Sequence, residues 1–235
     1  MIALECDMIY VTGDTHGQHD FGKLQFFARQ NPALSREDYV IVAGDFGGVW
    51  SAKTLDADLK PYEELPFTVL FIDGNHENFD LLNACPVEEW KGGKIHRIRP
   101  NIIHLMRGQV FVIEGKKIFT FGGASSVDRE MRTEGVSWWA AEVPDYAEFD
   151  EGIANLKHHD NTVDYIITHT ADERAMYYPA MVRMLARKEV RPENRMLSAF
   201  EDTVTYRHWY FGHYHIDASV NTRKTVLYHE IVPLD

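Results

Sequence analysis

The chain has 235 residues, of which 45% are hydrophobic and 12% aromatic, and its formal net charge is −12 with histidine taken as neutral. This length gives one large domain or two small ones, the apolar content is that of a globular protein, and the acidic balance argues against generic nucleic-acid binding. Two cysteines without a disulfide or zinc pattern, and the lack of a membrane-length apolar stretch, lead us to expect a cytoplasmic protein.

The first half of the chain alternates predicted strands and helices. We predict strands at Ile9–Thr12, Tyr39–Ala43 and Phe67–Ile72, a helix over Phe21–Gln30 and an irregular helical stretch over Thr54–Leu65. Because the strands are continuous apolar runs separated by helices, we expect them to pair in parallel with both faces buried. Residues 1–7 carry no motif and are expected to be a short extension of a single domain over residues 8–235.

The middle of the chain has a different pattern. Short strands are predicted at Lys94–Ile98, Ile102–Met106, Gln109–Ile113 and Lys117–Phe121, and we expect them to form a second, more antiparallel sheet. A long loop over residues 122–144 follows. The remaining predicted elements are helices at Tyr146–His159 and Pro179–Arg187 and strands at Val163–Thr168, Trp209–Phe211, Ala218–Val220 and Thr225–Tyr228.

Metal-capable side chains follow five of the predicted strands. They are Asp14, His16, Asp45, Asn75, His169, His213 and His215. Two pairs are separated by one residue, a spacing at which side chains of an extended backbone point the same way and can reach one cation. Open α/β sheets place their sites at the carboxyl ends of strands, so we expect these side chains to gather there.

The mixture of candidate ligands indicates the kind of metal site. Carboxylate, imidazole and amide groups without thiolate suit Mn, Fe, Zn or Mg-like ions. Seven ligands are too many for one tetrahedral site, and they fit two cations that share a bridging carboxylate. Two such cations, about 3.5–4 Å apart, activate a water for in-line attack on phosphorus.

The order of these motifs resembles that of the calcineurin-like metallophosphoesterase superfamily, from about Met8 to Val232. The matching strings are Gly13-Asp14-Thr15-His16, Gly44-Asp45, Gly74-Asn75-His76-Glu77, His169 and Gly212-His213-Tyr214-His215. The resemblance implies an α/β fold, a four-layer α/β/β/α sandwich with two mixed β-sheets and a dimetal site at the carboxyl ends of the strands.

The resemblance also implies roles for individual residues. The first metal would be held by Asp14, His16, Asp45 and His215, and the second by Asp45, Asn75, His169 and His213, with Asp45 bridging. His76 would lie near the scissile bond, where it would donate a proton to the leaving oxygen or stabilise the phosphoryl oxygens.

One segment departs from the protein Ser/Thr phosphatases of this superfamily. Gly48 stands where they have an Asp that orients the catalytic His, and Val49 stands where they have a phosphate-binding Arg. The departure argues against that branch and weakens a dinucleoside tetraphosphatase assignment. The catalytic His76 then needs another orienting partner, and Asp73 and Glu77 are both candidates.

The long loop over residues 122–144 offers candidate substrate-binding residues. Arg129 and Arg132 could replace the missing arginine, because a guanidinium group binds phosphate in a bidentate manner. Trp138 and its neighbour Trp139 could stack a flat group, or could pack into the core.

We therefore predict a hydrolase that uses two divalent cations, with manganese favoured, and a metal-activated water to cleave a small or nucleotide-like phosphomonoester or phosphodiester. The alternatives are a protein or dinucleoside-polyphosphate phosphatase, a nuclease, and a non-catalytic scaffold of the same fold. The complete ligand set counts against the scaffold, and the acidic charge counts against the nuclease. The native metal and the oligomeric state are left open.

Overall fold

The computed structural model describes residues 8–185 and 189–235. Its strands are β1 (Ile9–Thr12), β2 (Tyr39–Ala43), β3 (Thr68–Ile72), β4 (Val87–Trp90), β5 (Gly93–Arg99), β6 (Ile102–Leu105), β7 (Gln109–Ile113), β8 (Lys116–Phe121), β9 (Tyr165–Thr168), β10 (His208–Phe211), β11 (Ala218–Asn221), β12 (Lys224–Val226) and β13 (Ile231–Pro233). Its α-helices are α1 (Gly22–Gln30), α2 (Leu55–Glu63), α3 (Phe79–Asn83), α4 (Tyr146–His158), α5 (Pro179–Met184) and α6 (Pro192–Thr203). The expected extension over residues 1–7 and the end of the predicted helix Pro179–Arg187 lie outside the described residues.

The first sheet has seven strands in the order β13-β1-β2-β3-β6-β5-β4. The prediction of parallel pairing for β1, β2 and β3 is confirmed, and β6 extends this parallel set beside β3. Every residue of β2 and β3 is buried, as their continuous apolar sequences require. The strands β13, β5 and β4 pair antiparallel with their neighbours.

The second sheet has six strands in the order β11-β12-β10-β9-β8-β7. The prediction that the four middle strands form this sheet together is wrong, because β5 and β6 belong to the first sheet and β7 and β8 to the second. The short link Met106–Gly108 carries the chain from one sheet to the other. All four residues of β6 are buried, which fits a place beside the central strand β3 better than a place in a hairpin with β7.

Three apolar cores separate four layers of structure. One core joins the first sheet to α1, α2 and α3 and includes Leu24, Leu59 and Leu82. The second lies between the two sheets, and the third joins the second sheet to α4, α5 and α6 through Leu156, Met181 and Phe200. The predicted α/β/β/α sandwich is therefore confirmed. Within residues 8–185 and 189–235, no helix is long and apolar enough to cross a membrane, and the expected cytoplasmic location stays a prediction.

Four observed elements have no counterpart among the predicted ones: α3, β4, α6 and β13. The start of α3 has a recognisable signal, since the Asn78 side chain caps the helix by accepting the N–H of Leu81 at 3.1 Å. Pro192 opens α6, where proline is favoured because its fixed φ suits the first helical turn. The edge strands β4 and β13 are short and partly exposed; β4 contains two glutamates, and β13 has only three residues and ends in proline.

Candidate metal centre

The metal-capable residues lie where the two sheets bring the carboxyl ends of five parallel strands together. The first sheet contributes the residues after β1, β2 and β3, and the second those after β9 and β10. The side chains brought together are Asp14, His16, Asp45, Asn75, His76, His169, His213 and His215. The candidate ligands are thus supplied by loops that follow five different strands.

Close approach between these loops depends on glycine. A Cβ atom placed on Gly44 would lie 2.1 Å from His169 Nδ1, and one placed on Gly74 would lie 2.1 Å from Asp45 Oδ1. Both distances are far below van der Waals contact, so a side chain at either position would push a candidate ligand away. The glycines of the Gly-Asp and Gly-Asn-His-Glu motifs therefore follow from packing within the centre.

Four of the candidate ligands have left-handed backbone conformations. The φ angles are 45° at His16, 49° at Asp45, 69° at His213 and 51° at His215. Such conformations cost on the order of 1–3 kcal/mol each in a residue with a side chain, and they cluster at functional sites where the surroundings enforce them. The other left-handed residues with side chains in the described ranges lie elsewhere, at Lys91, Glu114, Asp160 and Asn161.

Asp14, His16 and His215 form the first group of donors. The Nε2 atom of His215 lies 3.2 Å from Asp14 Oδ2, and the Nε2 atom of His16 lies 4.0 Å from the same oxygen and 3.4 Å from Asp45 Oδ2. Asp14 Oδ2 is fully buried and accepts no hydrogen bond within the described residues. A buried carboxylate oxygen left in this state is suited to a cation.

Asp45, Asn75, His169 and His213 form the second group. The Nε2 atom of His169 lies 3.3 Å from Asp45 Oδ1 and 3.2 Å from Asn75 Oδ1, and donor atoms of Asp45, His169 and His213 lie within 4.8 Å of one another. The other ring nitrogen of His169 donates to the Ala43 carbonyl at 2.9 Å, which leaves Nε2 facing the centre. Asp45 borders both groups, so it occupies the position expected of a bridging ligand.

The carboxylate charges of the centre favour positive charge nearby. Burial lowers the pKa of His16, but its hydrogen bond to Asp45 and the Asp45 charge outweigh this effect and raise the pKa to about 9. For His169 the Asp45 charge likewise outweighs burial and raises the pKa to about 10. The carboxylates therefore favour the charged forms of His16 and His169, whereas burial and the neighbouring His169 lower the pKa of His213 to about 4. Divalent cations would supply positive charge at the same place, and the donor set fits them.

His76 lies next to both groups, and one of its ring nitrogens lies within 4.8 Å of donor atoms of His16 and Asp45. Its backbone N–H donates to Asp45 Oδ1 at 2.7 Å, and its ring is 5.3 Å from that of His16, centroid to centroid. The guanidinium group of Arg132 is next to the imidazole, with Nη1 3.3 Å from Nδ1 and Nη2 3.5 Å from Nε2. Asp128 holds Arg132 in place through a 2.7 Å ion pair.

The two carboxylates predicted as orienting partners of His76 are both engaged elsewhere. Arg107 donates to Asp73 Oδ2 at 2.6 and 2.8 Å, and His104 Nε2 lies 3.2 Å from Oδ1. Glu77 accepts the N–H groups of Phe46 at 2.7 Å and of the next residue at 3.3 Å. Neither carboxylate is placed to orient His76, so the role predicted for Asp73 does not fit this geometry.

The substrate-binding predictions for the long loop have different outcomes. Arg132 reaches the centre through its contact with His76. Arg129 is exposed and lies 5.8 Å from the ring centroid of Trp138, and no hydrogen bond or ring contact in the described structure joins either residue to the candidate ligands. Trp139 is buried and donates to Asp80 at 2.8 Å, so it packs into the fold.

Sequence reasoning missed the residues that support the ligands. Asp20 Oδ2 accepts from His16 Nδ1 at 2.7 Å, which turns His16 Nε2 towards Asp45. Lys23 Nζ donates to the carbonyls of Gly13 at 2.9 Å and Asp14 at 2.7 Å, and also to that of Tyr228. Among these contacts, only the one between His16 and Asp20 joins residues close enough in sequence, four positions apart, to be suggested by spacing.

A second support acts on Asn75. Its Nδ2 group donates to Ser126 Oγ at 3.4 Å, and Ser126 in turn donates to the buried Glu142 at 2.8 Å. Because the amide nitrogen of Asn75 faces Ser126, its Oδ1 atom faces His169. This chain of contacts therefore sets the orientation in which Asn75 can act as a ligand.

An open cleft adjoins the centre and has a volume of about 780 Å³. His16, His76 and His215 line the part nearest the candidate ligands. Trp50, Tyr228, Asp20 and Asp58 line the rest, together with His19 and neighbouring backbone. The centre is thus accessible to a small molecule through a cavity large enough to hold one.

Comparisons with known proteins agree with this geometry. A model of the calcineurin-like phosphoesterases matches residues 8–217 of the chain. The fold is similar to that of TT1561 from Thermus thermophilus, with a TM-score of 0.51 and 10% identity over 94% of this chain and 88% of that one. A protein described as a 5′-nucleotidase from Staphylococcus aureus, in complex with alpha-ketoglutarate, aligns with a TM-score of 0.46 and 14% identity over 94% of this chain and 48% of its own. Among curated proteins, no sequence matches significantly.

Proposed function

This chain belongs to the calcineurin-like phosphoesterase family, and we propose that it hydrolyses a small phosphomonoester or phosphodiester with the help of two divalent cations. The observation that carries the proposal is the shared position of Asp45 between two groups of donors, next to the buried Asp14 Oδ2 atom, which accepts no hydrogen bond within the described residues. A single-cation site or a degraded scaffold would have no need of both groups.

We assign the first cation to Asp14, His16, Asp45 and His215, and the second to Asp45, Asn75, His169 and His213. Bound cations would supply Lewis acidity, which activates water and offsets the negative charge that develops on the phosphoryl oxygens. Manganese is the first metal to test, because carboxylate, imidazole and amide ligands suit it.

His76 and Arg132 would act on the substrate directly. The guanidinium group of Arg132 faces both ring nitrogens of His76, with Nη1 3.3 Å from Nδ1 and Nη2 3.5 Å from Nε2. Burial and the Arg132 charge outweigh the Asp45 charge and lower the pKa of His76, which favours a neutral imidazole whose one N–H could donate to a phosphoryl oxygen or protonate the leaving oxygen. Asp128 and the Ser137 carbonyl engage Nε and Nη1 of Arg132, so Nη2 would donate to a second phosphoryl oxygen and replace the arginine absent at Val49.

The proposal is tested with the purified protein, stripped of metal and reloaded separately with manganese, iron, zinc, nickel or magnesium. We expect about two manganese ions per chain by elemental analysis and hydrolysis of p-nitrophenyl phosphate or its bis ester. His76→Ala should retain both ions and lose about 100-fold or more in kcat, because a positioned acid contributes at least that much. Asn75→Ala should lose one of the ions together with the activity.

His158→Ala is the matched control, since His158 is exposed at the end of α4. It should keep the metal content and the kcat of the unaltered protein. Stoichiometric metal binding without hydrolysis of either ester, with any of the five metals, would favour the scaffold instead.

A further inference from the structure

The cleft beside the metal centre combines two aromatic rings with two carboxylates. Trp50 and Tyr228 supply the rings, and Asp20 and Asp58 supply the carboxylates. Its inner end is formed by imidazoles of the centre, so a phosphate bound there would direct its ester group into this space. The chemistry of the cleft therefore bears on which leaving group the proposed phosphoesterase accepts.

Both rings are held in place by the loops that border the centre. The Tyr228 ring stacks on the imidazole of His215, with the centroids 4.7 Å apart and the planes 10° from parallel. Trp50 lies edge-on to Trp139 at 5.5 Å, and its carbonyl accepts the side-chain amide of Asn78, two residues after His76. One ring is thus fixed on the His215 side of the centre and the other on the loop that carries His76.

The charges in the cleft are negative. No lysine or arginine is among its lining residues in the described part of the chain. Asp20 is already bound to His16, whereas Asp58 contacts only the hydroxyl of Thr54, at 2.6 Å. The ammonium group of Lys23 lies behind Tyr228 and donates to backbone carbonyls. A second phosphate held beyond the imidazoles of the centre would meet carboxylates, and no lysine or arginine, among the described lining residues.

We propose that the cleft binds the leaving group as a flat, uncharged ring with hydrogen-bond donors, such as the amino-bearing base of a nucleoside monophosphate. Trp50 would stack the ring, and Tyr228, whose faces are covered by His215 and Lys23, would form a wall beside it. Asp58 would accept from the amino group, and the carboxylates would disfavour substrates that carry further phosphates. This inference rests on the proposed function. In the reaction, water bonds to phosphorus, the ester P–O bond breaks and a proton passes to the leaving alcohol.

A pair of substrates with the same scissile bond tests the inference. Adenosine 5′-monophosphate and ribose 5-phosphate have the same leaving oxygen and the same phosphate, and they differ in the base. We expect kcat/KM to be about tenfold or more higher for the nucleotide, the size of effect that stacking of a base produces. Trp50→Ala should remove most of this ratio and leave kcat/KM for ribose 5-phosphate within about twofold.

Two further variants separate stacking from charge. Tyr146→Ala, which removes an exposed ring on α4, should leave both the ratio and kcat/KM for ribose 5-phosphate unchanged. Asp58→Asn should raise kcat/KM for adenosine 3′,5′-bisphosphate relative to the monophosphate, because it removes a charge that repels the additional phosphate.

Binding of adenosine provides a readout that does not depend on hydrolysis. Titration calorimetry should show binding to the metal-loaded protein, weakened about tenfold by Trp50→Ala. Equal kcat/KM for the nucleotide and ribose 5-phosphate would overturn the inference and leave the proposed function intact. Failure to hydrolyse any phosphoester would instead overturn the proposed function, and adenosine binding that is unaffected by Trp50→Ala would overturn the inference independently.

Discussion

Replacing Arg107 with methionine should destabilise the fold by about 3–5 kcal/mol, because it leaves the buried carboxylate of Asp73 without its cationic partner. Arg107 donates to Asp73 at 2.6 and 2.8 Å, to Glu148 at 2.8 Å and to the carbonyl of Ala141 at 2.9 Å. Both partners of the main pair are buried, so solvent does not replace these contacts. Methionine keeps most of the side-chain volume, so the change isolates the loss of charge and hydrogen bonds.

The dependence on pH follows from the same pair. Burial raises the pKa of Asp73, but Arg107 and His104 outweigh it and hold the pKa well below its usual range. The stability that this pair contributes is therefore present above the unfolded-state pKa of about 3.9 and is lost at lower pH. In Arg107→Met, burial raises the folded-state pKa of Asp73, which favours folding at low pH. The stability difference between the two proteins should shrink as pH falls from 7 towards 4.

Urea unfolding with a chelator present measures this difference at each pH. Arg107→Met/Asp73→Asn should recover part of the loss, since removing both charges costs less than stranding one. Arg29→Met, which removes an exposed arginine on α1, serves as the control. A cost below about 1 kcal/mol for Arg107→Met, or an equal cost with and without Asp73→Asn, would show that the ion pair does not act as argued.

Two other changes probe the surroundings of the centre. Ser126→Ala should weaken binding of the second cation by about 10- to 100-fold in a metal titration, because Asn75 loses the acceptor that orients its amide. Ser219→Ala, which changes an exposed serine, should leave the affinity unchanged. Burial and the neighbouring His104 lower the pKa of His96 to about 4 in the folded protein, below the value of about 6.5 in the unfolded chain. As pH drops from about 6.5 towards 4, His96 is therefore protonated in the unfolded chain but not in the folded protein, and the stability should fall. His96→Gln should flatten that part of the stability profile in urea unfolding, and an unchanged slope would refute the reasoning.

The elements and residues that the sequence predicted best are those whose signal is local. The continuous apolar runs of β2 and β3 predicted buried parallel strands, and the polar residues directly after them predicted where a site would form. Residue type and spacing sufficed to identify Asp45 and Asn75 as members of one cluster, because parallel strands bring their carboxyl ends to a common edge.

The supports of the site could not be predicted in the same way, because they depend on contacts between distant parts of the chain. Arg107 is 34 residues from Asp73, and Glu142 is 16 residues from Ser126. The pairing of β5 and β6 with the first sheet was missed for a related reason. The short link between β6 and β7 favoured the prediction of a hairpin. In the structure β6 pairs with β3 instead, and the burial of both faces of β6 fits this position.

These distant contacts explain how the centre can hold unfavourable backbone conformations. His16 and Asp45 both have positive φ, and each belongs to a loop that a side chain from another part of the chain holds in place. Lys23 binds the carbonyls at the start of the first loop, and Glu77 binds the N–H groups that follow Asp45. The cost of the conformation at His16 is on the order of 1–3 kcal/mol, and a hydrogen bond from the ammonium group of Lys23 is of similar size. Contacts from other parts of the chain therefore help to set the conformation of both loops.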